Sequence, residues 1–276
     1  MTFDGGGSQN RENSREGDCI LVKAIALISV LAMASLSAAG SVWGAYLLRV
    51  EGGIVMWPAP AVATTTVITY AMLREPYLVA RNARTLSPDN CGSMLPFADI
   101  VAGSAEISED GSKGELRSAF AAWELVADVK FVEVREPGFA DIVVGATETP
   151  AGRAFANLSL RSGQRAQQFT DKALGGASGS APSRAAASPE GGGAAFIDKA
   201  FVCLNPKMRW KIGFDGNLVV YDLRHTFMHE IGHAIGLDHP GRSGSIMGYR
   251  YDESVREPQP SDVIAAQRLY GPPVAN

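Results

Sequence analysis

Apolar positions recur at helical spacing in two parts of the chain and at strand spacing in several others. A helix is predicted over residues 114–126, and its apolar face is formed by Leu116, Phe120, Trp123 and Ala127. A second helix is predicted over residues 261–270, with Ser261 as its N-cap, and the glycine and two prolines that follow should end it. β-Branched or alternating apolar residues predict short strands at residues 64–70, 131–134, 141–145, 154–158 and 195–198.

Three segments have the composition of connecting chain. Residues 162–193 are rich in Gly, Ala and Ser and contain too little apolar surface for a packed element, so we expect a flexible surface insertion. Residues 49–62 contain two glycines and two prolines, which predicts a linker. Residues 1–18 are polar and Gly-rich, which predicts a disordered tail.

A long apolar segment lies between the tail and the linker, at residues 19–48. Its uncharged part, residues 24–48, would span roughly 37 Å as a helix, enough for a bilayer core of about 30 Å. It is either a transmembrane anchor or a signal peptide, with a small-residue cleavage site at residues 37–39. More basic residues precede it than follow it closely, which favours a cytoplasmic tail. We therefore expect a membrane-anchored extracytoplasmic domain, or a domain secreted after signal cleavage.

Composition and charge narrow the range of functions. The chain has 276 residues, of which 46% are hydrophobic and 20% charged, a balance typical of one substantial globular domain. A net charge of -4 and the absence of a Lys/Arg stripe argue against nucleic acid as a partner. Only three cysteines occur, without a C-x-x-C pair, which argues against a disulfide-built scaffold and a thiolate metal site.

The strongest functional feature is the sequence H-E-I-G-H-A-I-G-L-D-H at residues 229–239. On a helix, His229 and His233 share one face, so both imidazoles can reach one ion. Gly236 can adopt a positive φ and turn the chain back, which brings His239 to the same ion. Three protein ligands leave the fourth position of a catalytic zinc ion for water. Glu230 is placed to take the proton from that water and to return it to the leaving amine.

A chance match and a purely structural zinc site are the alternatives to a catalytic centre. Three of the four histidines of the chain fall in this motif, together with Glu230 and Gly236, which argues against chance. A structural zinc usually has four protein ligands, and Glu230 fits such a site poorly. The motif therefore predicts one catalytic Zn2+. The remaining histidine, His225, is expected to be a core or hydrogen-bonded residue.

The motif matches every fixed position of the pattern H-E-x-x-H-x-x-G-x-x-H, so the chain resembles the metzincin metallopeptidases. Residues 245–249 resemble the Met-turn of that family, with Met247 beneath the zinc. Further stretches are similar to the matrixins in the same order, at residues 118–123, 140–143 and 262–271. Pro240 and Tyr249 instead resemble serralysins, and in serralysins and astacins the corresponding tyrosine can ligate zinc. Tyr249 either does so here or forms a wall of the cleft.

The resemblance implies an α+β, zincin-like catalytic domain over residues 63–273. It implies a twisted, mostly parallel five-stranded sheet with an active-site helix and a C-terminal helix, preceded here by the N-terminal membrane helix. It also implies cleavage of extended protein or peptide substrates that pair with an edge strand, for which we expect residues 154–160. By analogy, Asp262 would brace the Met-turn. The histidines of a second, structural zinc are missing, and the lack of acidic loops leaves calcium dependence open.

The sequence thus predicts a zinc-dependent metalloendopeptidase. Cys91 and Cys203 are expected to pair in an oxidising compartment, the alternative being two free thiols. Two other functions stay open. The first is a metzincin-like module that holds a partner peptide without cleaving it, but the intact Glu230 argues against this function. The second is a zinc amidase acting on cell-wall peptides, but no cell-wall-binding repeat supports it.

Overall fold

The computed structural model describes residues 46–60, 65–80, 85–86, 90–161, 193–241 and 244–274. The predicted tail, residues 19–45 of the predicted membrane segment and nearly all of the predicted insertion lie outside these ranges. Within the described ranges, no helix has the length and apolar character needed to cross a bilayer.

The described residues form twelve strands, some of only two residues. They are β1 (Arg49–Val50), β2 (Gly53–Met56), β3 (Thr66–Met72), β4 (Tyr77–Leu78), β5 (Thr85–Leu86), β6 (Ser93–Leu95), β7 (Val129–Glu133), β8 (Ile142–Thr147), β9 (Ala154–Leu160), β10 (Ala194–Leu204), β11 (Trp210–Lys211) and β12 (Tyr221–Asp222). The five long central strands lie in the order β7-β3-β8-β10-β9. The first four are parallel and β9 is antiparallel to β10. With the shorter strands the sheet is mixed and has ten strands, so the predicted five strands form only its central part.

Burial of the central strand explains why its sequence is continuously apolar. All six residues of β8 are buried, because helices cover one face of the sheet and a smaller apolar cluster covers the other. Parallel strands that are covered on both faces lose the alternation of polar and apolar residues. On the second face, the predicted disulfide joins Cys91 to Cys203 of β10.

Three α-helices complete the domain, and each begins at an identifiable cap. Helix α1 (Glu109–Glu124) begins five residues before its predicted start, because the Ser108 hydroxyl accepts a hydrogen bond from the Gly111 N–H. Helix α2 (Leu223–Ala234) is capped by Asp222. Helix α3 (Pro260–Tyr270) begins with a proline at its first position. A short 3-10 helix, Phe97–Val101, precedes α1.

Helices α1 and α2 pack on each other below the sheet. The predicted apolar face of α1 is buried, and Trp123 donates a hydrogen bond from Nε1 to the Met228 carbonyl at 3.0 Å. This bond joins α1 to the middle of the helix that carries the HExxH sequence. Helix α2 is therefore held in place by α1 as well as by the sheet.

The N-terminal part of the described chain differs from the prediction. Residues 49–56, for which the glycines and prolines predicted a linker, form strands β1 and β2, and β2 pairs in parallel with β10. Leu47, predicted to be the end of the membrane segment, is buried in the domain and forms a bridge with Leu237. The linker prediction was wrong here because the apolar run Ile54, Val55 and Trp57 supplies more buried surface than the flanking glycines and prolines suggest.

Candidate metal centre and substrate cleft

The metal-binding motif lies on helix α2 and the loop that follows it. His229, Glu230 and His233 are on the helix, which ends at Ala234. Gly236 follows with φ +98°, a conformation that residues with a Cβ rarely adopt. The chain then reverses and brings His239 beneath the two helical histidines.

The three histidines converge on one point. Nε2 of His239 lies 3.2 Å from Nε2 of His229 and 3.2 Å from Nε2 of His233. The ligand atoms of all three residues lie within 4.8 Å of one another. Two nitrogens that share a tetrahedral zinc ion at about 2.0–2.1 Å should lie roughly 3.3 Å apart. The spacing of the three rings therefore fits a zinc ion.

Backbone carbonyls fix the tautomers of the two helical histidines. Nδ1 of His229 lies 2.8 Å from the Ile246 carbonyl, and Nδ1 of His233 lies 2.9 Å from the Leu237 carbonyl. Because a carbonyl oxygen only accepts, each Nδ1 carries the proton and each Nε2 presents its lone pair to the ion. Burial lowers the pKa of His233 to about 4 and holds the pKa of His229 well below its usual value, so both rings stay neutral at pH 7.

The chain segment below the metal point, residues 245–247, is held by a buried carboxylate of α3. Asp262 accepts hydrogen bonds from the Ile246 N–H at 3.0 Å, the Gln259 N–H at 2.8 Å and the Ser245 hydroxyl. The carbonyl of the same residue, Ile246, accepts a hydrogen bond from Nδ1 of His229. Asp262 therefore acts on His229 through one intervening residue.

Met247 packs against helix α2 at Gly232, a residue whose role was not predicted from the sequence. A Cβ at Gly232, between the first two histidines, would lie 2.2 Å from the Met247 sulfur. Only glycine leaves room for this contact, which brings the methionine directly under the metal-binding helix. The signal was present in the sequence as a helical glycine, a residue that costs roughly 1 kcal/mol in a helix unless packing requires it.

Glu230 lies beside the metal point and is almost completely buried, with 6% of its surface exposed. Burial raises the pKa of Glu230 to about 8, and the positive charge of Arg153 acts in the opposite direction. The side chain lines a cavity together with His229 and Arg153. A carboxylate in this position can exchange protons with groups bound next to the histidines.

Tyr249 stacks on the third histidine. The rings of Tyr249 and His239 are 3.9 Å apart and nearly parallel, and the tyrosine is 74% exposed. The ring thus forms one wall at the entrance to the metal point. Zinc ligation by Tyr249 stays a prediction.

The cavity beside the metal point has a volume of about 190 Å3. Its walls are formed by helix α2, by the segment after Met247 and by the chain at the start of β9. The lining residues are Arg153, Ala154, His225, Thr226, His229, Glu230, Gly248, Tyr249 and Tyr251. Arg153 could not be identified from the sequence, because nothing in its local pattern distinguishes it from a surface arginine. His225 is buried, as expected for a core histidine, but its ring also reaches this cavity.

Strand β9 borders the same cleft. Its Leu158 and Ser159 pair with β5, whereas no strand among the described residues pairs with the outer edge of residues 154–157. The Arg153 carbonyl accepts a hydrogen bond from the Asn205 N–H, on the side of β10. Because backbone groups alternate in direction along a strand, those of Ala154 and Ala156 point away from β10.

A mostly parallel sheet, a HExxH helix and a third histidine reached through a glycine define the metzincin class of zinc metallopeptidases. The family model of the matrixins matches residues 98–271. The chain belongs to the matrixin family, and as a member it is a metallopeptidase hydrolase. Comparison with curated proteins gave no match.

Proposed function

We propose that the chain is a zinc-dependent endopeptidase that cleaves extended protein or peptide segments. The observation that carries this proposal is the convergence of three imidazole nitrogens within 4.8 Å of one another, with Glu230 buried beside them. His229, His233 and His239 would hold the ion. A catalytic zinc ion supplies an acidified water molecule and polarises the substrate carbonyl.

Glu230 is the proposed general base and general acid. In its ionised form, which a neighbouring Zn2+ would favour, Glu230 would accept a proton from the attacking water and return it to the leaving amine. This role needs one group within hydrogen-bond reach of both. The position next to His229 on α2 supports this role, because the helix holds the carboxylate and the metal ligand in a fixed relation. Tyr249 is proposed as a wall residue whose hydroxyl is free to approach the developing charge.

Substrates are proposed to bind as an added strand along β9. The outward backbone groups of Ala154 and Ala156 supply hydrogen bonds to an extended peptide without regard to its side chains. The same stretch adjoins the cavity beside Glu230, so a peptide paired with β9 passes the metal point. This arrangement favours cleavage within a chain.

An exported location is proposed for the domain. The disulfide between Cys91 and Cys203 supports it, because disulfides persist in oxidising compartments. The choice between a membrane anchor and a cleaved signal at residues 19–48 depends on residues outside the described ranges.

The experiment that tests the function uses the full chain, an unstructured protein substrate and peptidoglycan fragments. We expect one zinc ion per chain, cleavage of the protein, loss of cleavage when a chelator removes zinc, and recovery on re-addition. Cleavage of peptidoglycan fragments alone would support the amidase alternative. Zinc binding with cleavage of neither substrate would favour the peptide-binding module.

A further inference from the structure

Two side chains that line the cleft each carry a buried polar atom without a hydrogen-bond partner among the described residues. The atoms are Nε of Arg153 and Nε2 of His225. The two side chains line the same cavity of about 190 Å3. Because buried polar atoms in proteins are nearly always hydrogen-bonded, two such atoms at one cavity point to a polar group of the ligand.

Arg153 is held in place rather than free to turn into solvent. Its guanidinium carbon lies 3.4 Å above the centre of the Tyr221 ring. The backbone on both sides is tied to Asn205, whose Nδ2 donates to the Gly152 carbonyl at 2.8 Å and whose N–H donates to the Arg153 carbonyl at 2.9 Å. The arginine side chain is therefore already ordered before a ligand binds, so binding costs little further conformational entropy.

The charges at the cavity favour an anionic group. Among the residues that line the cavity, Arg153 is the only cation and Glu230 the only carboxylate. No ion pair is found for Arg153 among the described residues, and stacking on the Tyr221 face uses none of the guanidinium N–H groups. Guanidinium groups bind carboxylates through paired hydrogen bonds, and a neutral imidazole such as His225 can donate one more.

An apolar side chain in this cavity would leave both polar atoms unbonded. The cavity of about 190 Å3 holds more than one water molecule and is large enough for a side chain that ends in a carboxylate. We propose that this cavity, the carboxylate pocket, selects a carboxylate beside the cleaved bond, with Arg153 as the specificity-determining residue and His225 as a second donor. This inference rests on the proposed peptidase function.

The carboxylate has two sources in a peptide. One is an Asp or Glu side chain next to the cleaved bond, and the other is the C-terminus of a short leaving fragment. The experiment uses quenched peptides that differ only in Glu, Gln or Leu at the positions flanking the cleaved bond. A second pair carries a free or an amidated C-terminus. The full chain is compared with Arg153→Gln, Arg153→Lys and the remote exposed control Arg135→Gln.

For one of the two sources, we expect the wild type to prefer the carboxylate over its neutral counterpart by roughly 10- to 100-fold in kcat/KM, mainly through KM. Arg153→Gln should abolish this preference, measured as the ratio of kcat/KM for the charged and the neutral peptide within each protein. Arg153→Lys should keep part of it, and Arg135→Gln should keep all of it. Equal cleavage of charged and neutral peptides, or a preference for Leu, would overturn the carboxylate pocket but leave the peptidase function standing.

Two further outcomes separate a failure of the carboxylate pocket from a failure of the peptidase function. If Arg153→Gln lowers kcat for all peptides equally, with an unchanged thermal unfolding midpoint, Arg153 stabilises the reaction and does not select the substrate, which overturns the inference. If no peptide is cleaved, the proposed function fails. The same peptides, labelled for fluorescence anisotropy, then test the pocket alone, because the wild type should still bind the carboxylate form at least about tenfold more tightly than Arg153→Gln does.

Discussion

Gly236 packs so closely on the carbonyl oxygen of Val55 that no side chain fits between them. A Cβ at Gly236 would lie 2.1 Å from that oxygen. Two backbone hydrogen bonds continue the contact, from the Leu48 N–H to the Gly236 carbonyl and from the Asp238 N–H to the Tyr46 carbonyl, both 2.9 Å long. The loop that presents the third histidine is thus paired with the N-terminal segment.

Substitution of Gly236 by alanine tests this coupling. The positive φ alone should cost about 1–2 kcal/mol, and the contact with Val55 should bring the total loss of unfolding free energy to about 2–5 kcal/mol. Gly213→Ala is the matched control, since Gly213 has the same φ of +98° with nothing within 4 Å of the added Cβ. Chemical denaturation and zinc content measure both effects. Equal losses in the two variants would show that the contact with Val55 contributes nothing.

Asp262→Asn tests the support of the loop below the metal point. The substitution removes the charge and one acceptor from a group that accepts three hydrogen bonds, so we expect a loss of about 1–3 kcal/mol in unfolding free energy. Zinc affinity should fall as well, because the Ile246 peptide orients His229. Asp198→Asn, at an exposed position of β10, should change neither quantity measurably. Unchanged zinc affinity in Asp262→Asn would contradict the proposed link to His229.

The buried His225 makes stability depend on pH. Burial lowers the pKa of His225 to about 4 in the folded protein, although Asp252 and Glu253 act in the opposite direction. Below an unfolded pKa of about 6.5, the unfolded chain binds the proton more tightly, so stability is lost as the pH falls from about 6.5 towards 4. The loss due to this residue should reach about 2–3 kcal/mol.

The comparison of the wild type with His225→Gln isolates this contribution, because the other histidines titrate in both proteins. Unfolding free energies at pH 7, 6 and 5 should fall more steeply for the wild type than for the variant. Parallel pH profiles would mean that His225 is hydrated or protonated in the folded state.

The sequence predicted those elements of the fold whose buried residues recur at regular spacing along the chain. The five long strands and α1 follow from apolar spacing, whereas the two-residue strands and β6 were not predicted. The start of α1 was misplaced only because the cap at Ser108 was not considered. The N-terminal strands could not be predicted, because their apolar residues are flanked by glycines and prolines and pair with β10 far along the chain. Long-range pairing leaves no local pattern.

In the candidate site, too, residues in a local motif could be predicted, whereas residues that depend on long-range contacts could not. The histidines and Glu230 are adjacent in a motif whose spacing carries its geometry, so the sequence was sufficient to find them. Arg153 reaches the cleft through the pairing of β9 with β10, and Gly232 is needed because of a methionine in a later turn. Their importance depends on tertiary contacts that no single stretch of sequence contains.

The most direct test of the central claim compares wild-type protein with Glu230→Gln, in the full chain, on a quenched peptide library. Both proteins should bind one zinc ion, because glutamine replaces a residue that is not a proposed ligand, whereas cleavage by the variant should fall by about 10²- to 10⁴-fold. Equal cleavage by the two zinc-loaded proteins would contradict the account, because the proton transfers would then not depend on Glu230.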